Sequence, residues 1–449
     1  MEEKTICAIS TPIGSGGISI IRLSGEKSIE IASKVFHTKN LSVANFEPNK
    51  LYLGEFNAKN FKDKCMCVYF KAPKSYTGED VVEFQCHGGV KLMELVVNEC
   101  ILRGAEMAAP GEFTKRAFLN GKMALSDAEG VIDLINADSE AGVNAAYRLM
   151  TGKLAGEIGE IQKTIFDVIC DLEAVLDYPE ELEDENIPQG KIGLDAALKK
   201  LAPLAKSESY GKMAKYGINV VMCGDTNVGK SSLMNAMLKE NRAIVTPVAG
   251  TTRDLIGESF LHGGVKINLT DTAGIRESAD EIEKEGIKRA KNAVLSADLV
   301  LYVKDGTEFG KEMEIPAEAQ GKRLVTVINK GDLLGEGVRY GEQKEAKEKT
   351  FVVSAKNGDG VEELLDYIVS VFNEGKVLGT EVITEKRHLS AVLKAKKHLE
   401  DALENYDALP SDCILVDVKA AWQALGEITG STSSEEVVNA IFDKFCVGK

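Results

Sequence analysis

The segment Gly224-Asp225-Thr226-Asn227-Val228-Gly229-Lys230-Ser231 constrains this chain more than any other feature, because it follows the apolar run Ile218–Cys223 and opens a helical pattern. In that strand–loop–helix setting, glycines let backbone N–H groups turn inward onto phosphates. A lysine at the position of Lys230 reaches the β- and γ-phosphates, and the Ser231 hydroxyl is placed to ligate Mg²⁺. Val228, Gly229 and Ser232 complete the loop. A strand that feeds such a loop belongs in a doubly wound sheet. The text beyond it agrees, with Val265–Thr270, Leu299–Lys304, Leu324–Ile328 and Phe351–Val353 each short, β-branched-rich and followed by a loop and a helical pattern. That alternation predicts a mainly parallel sheet with helices on both faces.

Four further elements follow the loop in order. Thr251 and Thr252 lie in Gly250-Thr251-Thr252-Arg253-Asp254, where a threonine completes the Mg²⁺ shell and senses the γ-phosphate. Asp271-Thr272-Ala273-Gly274 ends the next apolar strand, with Asp271 in reach of the Mg²⁺ water shell and the Gly274 N–H toward the γ-phosphate. Asn329-Lys330-Gly331-Asp332 closes a later strand, and Asp332 is set to accept from N1 and N2 of guanine, a demand adenine does not meet. Ser354-Ala355-Lys356 supplies backbone and packing for the base. Any one of these short segments is more often a plain turn than a ligand site; together they make a guanine-nucleotide-binding domain. Ile275 stands directly after the Asp271–Gly274 motif, where Ras-type GTPases carry the glutamine that orients water. Water must therefore be oriented by another residue. From the residues alone, Glu277, Asp280, Glu281, Glu283 and Glu285 are equal candidates, and Asn227 is placed to help hold a monovalent cation near the phosphates.

At 449 residues the chain has room for about three domains. From Thr5 to about Phe118, short β-rich runs such as Ile18–Ile21 and Cys67–Phe70 alternate with turns and one helix near Val90–Leu102, an α+β domain. Long helices are expected from about Ser126, where Ile158, Ile161, Ile165, Val168, Leu172 and Val175 share a helical face. The acidic stretch Tyr178–Glu185 reads as a solvated loop between helices. Helical text resumes after about Gly375 and ends in a stripe of Val437, Val438, Ile441, Phe442 and Phe445, with Ser433 and Glu436 as its capping box. Neither helical segment buries its apolar face alone, so the α/β unit is expected to interrupt one helical domain. The expected bounds are 1–120 for the α+β domain, 121–214 and 376–449 for the two helical parts, and 215–375 for the nucleotide domain.

Charge and cysteine content narrow the partners. With 54 Lys+Arg against 70 Asp+Glu the net charge is −16, so RNA contact is expected to be local. The nine cysteines are scattered without a CxxC pair, which argues for reduced thiols in a cytoplasmic setting and against a zinc site or disulfide framework. No apolar run approaches a membrane span, and no membrane partner is expected.

The loop with Asn227, the run Thr246–Asp254, the Asp271–Gly274 motif followed by Ile275 and Arg276, the N-terminal Thr11-Pro12-Ile13-Gly14-Ser15-Gly16-Gly17 and the ending Phe445-Cys446-Val447-Gly448-Lys449 together resemble the MnmE (TrmE) family of tRNA-modification GTPases over essentially the whole chain. The nucleotide motifs alone fit the related Era and EngA assembly GTPases, which is the alternative reading: a switch without modification chemistry.

The resemblance implies a tetrahydrofolate-binding-like N-terminal domain with Arg22, Glu79, Lys122 and Lys449 at the folate, in a 5,10-methylene or 5-formyl form. It implies K⁺ on Asn227, Thr246, Val248 and Thr251, partly through backbone oxygens, with Pro247 where aspartate is common. Mg²⁺ would rest on Ser231 and Thr252, and Glu283 is singled out as the water-orienting group. Cys446 is a thiol required for modification in such proteins; as a residue alone it reads equally as packing under the last helix. His388 matches a basic run of the family and reads as helix-surface charge. The implied partners are a second copy of the chain, tRNA, and a flavin-dependent MnmG-like protein forming a heterotetramer.

Overall fold

The computed structural model describes residues 4–39, 41–240, 257–271, 291–308, 317–335, 337–343, 349–376 and 381–449, with the backbone alone for 179–187 and 240. The chain divides into two compact units. One comprises Met1–Ile132, Leu149–Gln162 and Trp422–Lys449; the other comprises Asp133–Arg148 and Lys163–Ala421.

The first unit is built on a seven-stranded sheet of β1 (Ile6–Ile9), β2 (Ile18–Ser24), β3 (Phe36–His37), β4 (Leu51–Asn57), β5 (Lys62–Phe70), β6 (Val81–His87) and β7 (Glu106–Met107). Its order is β3-β4-β5-β6-β2-β1-β7, antiparallel except for β1–β7. Alternation sets the buried face: Asp63, Cys65, Cys67 and Tyr69 of β5 point in, as do Val82, Phe84 and Cys86 of β6. Helices α1 (Ser28–Val35) and α2 (Val90–Leu102) supply Ile31, Val35, Val96 and Cys100 to the same core. The sequence expectation of one helix here misses α1 and α3 (Glu112–Leu119), each of eight residues, too short for a repeating stripe.

Helices α4 (Leu125–Asn136), α5 (Glu140–Met150), α6 (Lys153–Asp177), α7 (Pro179–Lys206) and α8 (Glu208–Tyr216) follow. The expected α6 stripe is buried along its length. The acidic stretch read as a loop is instead the opening of α7. Pro179 sits at the start of that helix, where its missing N–H costs nothing.

The second sheet comprises β8 (Ile218–Cys223), β9 (Glu258–His262), β10 (Val265–Asp271), β11 (Leu299–Asp305), β12 (Leu324–Asn329), β13 (Gly341–Glu342) and β14 (Thr350–Val352), in the order β13-β14-β12-β11-β8-β10-β9. The five central strands are parallel, as expected, and the edges β9 and β13 pair antiparallel. Leu299, Leu301 and Val303 of β11 enter one core and Val300 and Tyr302 the other, so the unbroken apolar run reflects cover on both faces. Helices α9 (Lys230–Glu240) and α10 (Val361–Glu374) accompany this sheet.

The second sheet lies between two runs of helices, and the two connections are clasped together. The Ser207 hydroxyl accepts the Ile383 N–H at 3.0 Å, Arg148 holds Glu381 through two bonds of 2.9 Å, and Lys215 pairs with both Asp133 (2.6 Å) and Glu385. Gly211 is required there, since a Cβ would lie 2.0 Å from the Ile383 carbonyl oxygen. The chain ends in α11 (Lys386–Asn405), α12 (Ser411–Thr429) and α13 (Glu435–Phe442). His388, expected on a helix surface, is fully buried in α11. The cap of α13 is Ser434, whose oxygen accepts the Val437 N–H, while Ser433 donates to the Glu427 carbonyl. Val437 is 39% exposed, so the buried stripe is Val438, Ile441, Phe442 and Phe445.

Candidate functional site

The phosphate loop is shaped by close approaches. Gly224 has φ +140 with its missing Cβ 2.2 Å from the Val303 carbonyl oxygen, so a side chain would collide with β11. Among the described residues three non-glycines have positive φ, and two of them, Asn227 and Lys330, belong to this site. Such backbone costs of order 1–3 kcal/mol and persists where its surroundings enforce it. Lys230, at the first turn of α9, is 5% exposed and donates to the carbonyls of Gly224 (3.0 Å) and Asp225 (2.7 Å). Its cation is thus enclosed by the loop whose N–H groups a phosphate would meet.

The Ser231 hydroxyl donates to Asp271 Oδ2 at 3.0 Å, which unites the loop with the end of β10. An alcohol and a buried carboxylate at that separation form an oxygen pair suited to hard Mg²⁺, held directly or through water. Thr246, Val248, Thr251, Thr252, Thr272, Ala273, Gly274 and Glu283 lie outside the described residues, as do Pro247, Ile275 and Arg276.

At the base-facing end, Asn329 is 2% exposed and works on protein atoms. Its Nδ2 donates to the Val228 carbonyl at 3.0 Å and its Oδ1 accepts the Ala355 N–H at 3.0 Å, tying phosphate loop, β12 and the Ser354–Lys356 turn into one assembly. Asp332 accepts the Ser354 hydroxyl at 2.8 Å through Oδ1, with Lys356 3.9 Å from Oδ2. Lys330 is gripped by Asp305 Oδ2 at 2.6 Å. Lys330 and then Thr307 hold the Asp305 carboxyl down at about 2. The sequence reading misses Asp305; its signal is an acid at the end of a buried parallel strand, beside the ligand edge of such sheets.

In the first unit, Arg22, Glu79, Lys122 and Lys449 are reached through the segment Lys71–Asp80 and helix α3. Arg22 pairs with Glu83 at 2.7 Å, and its guanidinium carbon lies 5.5 Å from the ring centres of both Tyr76 and Phe113. Glu79 accepts from Ser24 (2.6 Å) and Arg116 (3.1 Å), and Arg116 reaches Glu112 as well. Lys122 Nζ donates to the Pro73 carbonyl at 2.9 Å. The Lys449 carbonyl accepts the Phe113 N–H at 3.2 Å, Ser10 donates to Gly448 at 3.0 Å, and Val447 bridges Pro110. The tail is thereby stitched beside the Arg22–Tyr76–Phe113 stack. Cys446 is exposed, and the packing alternative does not hold: Phe445 is the residue buried under α13. Cation, aromatic face and carboxylate together suit a ligand that carries a flat ring with N–H donors and an acid. Tyr76, Phe113 and Arg116 escape the sequence reading, because only folding brings them to Arg22 and Glu79.

Two family comparisons cover the chain: the MnmE helical domain matches residues 125–446, and the GTP-binding protein TrmE N-terminus matches residues 5–122. The tRNA modification GTPase MnmE of Caldicellulosiruptor saccharolyticus is 40% identical over 457 positions, covering 100% of each chain. Those of Lysinibacillus sphaericus and Finegoldia magna are 37% and 39% identical, again over 100% of each chain. Among the described residues no helix is long and apolar enough to cross a membrane.

Proposed function

This chain belongs to the MnmE family of tRNA modification GTPases, and from that premise we propose that it is a K⁺-activated GTP hydrolase which, with a flavin-dependent MnmG-like partner, adds an aminomethyl or carboxymethylaminomethyl group to C5 of the tRNA wobble uridine, with a folate one-carbon unit as methylene source. The observation that supports the reading most is the stitching of the C-terminal tail beside Arg22, Tyr76 and Glu79, which sets an exposed thiol and a folate-compatible cluster in one unit. A GTPase switch in ribosome assembly has no need of that cluster, and the family match extends over both flanking domains.

In this reading Lys230 and the loop N–H groups neutralise the β- and γ-phosphates, and Asp332 selects guanine. Ser231, Thr252 and Asp271 hold Mg²⁺, which supplies charge to the phosphate oxygens. Asn227, Thr246, Val248 and Thr251 hold K⁺, whose charge serves where other GTPases insert an arginine. Glu283 orients the attacking water. Thr272, Ala273, Gly274, Asn329, Lys330, Ser354, Ala355 and Lys356 complete the nucleotide site. Arg22, Lys122 and Lys449 meet the folate carboxylates, Glu79 meets the pterin N–H donors, and Cys446 is the thiol of the modification step. A homodimer brings two nucleotide domains together across the K⁺ loops.

Two measurements test this. GTP turnover should be faster in K⁺ than in Na⁺, and equal rates would remove the cation assignment. Nucleoside mass spectrometry of tRNA from cells carrying Cys446→Ser in place of the native gene should show an unmodified wobble uridine; full modification would refute the role of the tail.

A further inference from the structure

The front sheet brings together three groups that sequence spacing keeps apart. Extending the Met66↔Gln85 register of β5 and β6 by one pair sets Cys65 opposite Cys86. Asp63 shares the inward face of β5 with Cys65. The two Sγ atoms and a carboxylate oxygen of Asp63 lie within 4.8 Å of one another, the one such group among the described residues. Cys65 is 3% exposed, Cys86 2% and Asp63 8%. The Asp63 carboxylate is oriented from behind by His87: Oδ2 accepts the His87 N–H at 3.0 Å, and Oδ1 lies 2.6 Å from Nδ1. The His87 ring itself is exposed, so this end of the cluster faces solvent.

We propose that Asp63, Cys65 and Cys86 form a binding site for one thiophilic divalent d¹⁰ cation of the Zn²⁺ class, with a fourth position open to water. The donor set decides the class. Two sulfurs with one carboxylate suit a borderline-soft ion bound at roughly 2.3 Å by sulfur and 2.0–2.2 Å by oxygen, and disfavour Mg²⁺. His87 acts through Asp63, as the hydrogen-bonded partner that fixes a ligating group. A cysteine ligates a metal ion as its thiolate. Binding exchanges the thiol protons for S–metal bonds, with no change of oxidation state. The site is independent of the nucleotide and folate readings, and it joins two adjacent strands at the end that leads into the Gly88-Gly89 turn.

The test titrates the full-length reduced chain, freed of metal by a chelator, with Cd²⁺ in excess Mg²⁺ and follows thiolate-to-cadmium charge-transfer absorption. One Cd²⁺ per chain and loss of the band in both Cys65→Ser and Cys86→Ser are expected. His87→Ala changes an exposed ring and leaves the core packing alone; it should weaken Cd²⁺ binding about 10–100-fold. A band that survives Cys65→Ser, unchanged affinity in His87→Ala, or no band at all would each overturn the proposal.

Discussion

Replacing Asn329 by alanine is expected to weaken nucleotide binding and stability together, because this side chain joins three separate segments. The perturbation removes a donor to the Val228 carbonyl and an acceptor for the Ala355 N–H, each at 3.0 Å, from a residue that is 2% exposed. An orphaned buried polar group costs about 1–3 kcal/mol, so two cost about 2–6 kcal/mol before relaxation. Water admitted to the space that the amide vacates returns part of this, which leaves roughly 2–3 kcal/mol. To the extent that bound nucleotide must reorder the loop, GDP affinity falls about 30–150-fold. Equilibrium titration with a fluorescent GDP analogue, beside urea unfolding, measures both shares. Asn329→Asp separates the two bonds: it keeps the acceptor for Ala355 but turns an oxygen toward the Val228 carbonyl. It should therefore bind GDP no better than the alanine variant. Wild-type affinity and stability in Asn329→Ala, or full recovery in Asn329→Asp, would refute this account.

Three further outcomes are expected. Asp305→Ala removes the 2.6 Å charge-assisted partner of Lys330, and a loss of about 1.5–3 kcal/mol should speed GDP dissociation by roughly 10–100-fold in a stopped-flow chase. Gly448→Ala places a Cβ 1.9 Å from the Ile9 carbonyl oxygen at φ +96, so the tail should detach. Hydrogen exchange at Cys446–Lys449 should rise and wobble-uridine modification should fall, while GTP turnover stays at the wild-type rate. The third outcome is a pH effect at Asp133, whose carboxyl is pushed up to about 7 by burial, with Lys215 opposing and Glu385 adding to the shift. An unfolded aspartate ionises near 3.8, so between those values the native state holds a proton that unfolding releases, and this group subtracts stability as pH rises. In urea unfolding from about pH 5 to 7, wild type should lose up to about 1.4 kcal/mol per pH unit relative to Asp133→Asn; parallel stability curves would show that Asp133 is ionised throughout.

The parallel strands were legible because burial on both faces writes itself as an unbroken apolar run, as in Leu299–Val303. The α6 stripe was legible because twenty-five residues carry a 3.6 period over many turns. Edge strands and two-turn helices were not. Phe260 alone of β9 reaches full burial, and α1 and α3 are too short for periodicity to separate them from loop. The acidic opening of α7 misled for a different reason: charge density suggests solvation, whereas the position of Pro179 decides that a helix begins there.

The same contrast governs the site. Lys230, Ser231, Asp271, Asn329 and Asp332 stand in contiguous motifs whose spacing encodes their chemistry, and the described ones converge on one end of the second sheet. The residues that hold them belong to no motif: Asp305 grips Lys330 from the neighbouring strand, Arg116 crosses from α3 to Glu79, and Tyr76 and Phe113 flank Arg22. Each of these contacts joins positions whose separation along the chain is set by loop lengths, and loop length is thermodynamically cheap to vary. Strand register works in the opposite sense. Because side chains alternate with a period of two, a slip of one residue in β5 would turn Asp63, Cys65 and Cys67 to solvent and bring Lys62, Lys64 and Met66 into the core. The burial of two lysines forbids that slip, so the facing of Cys65 and Cys86 is enforced by the residues that alternate with Asp63 and Cys65 along β5.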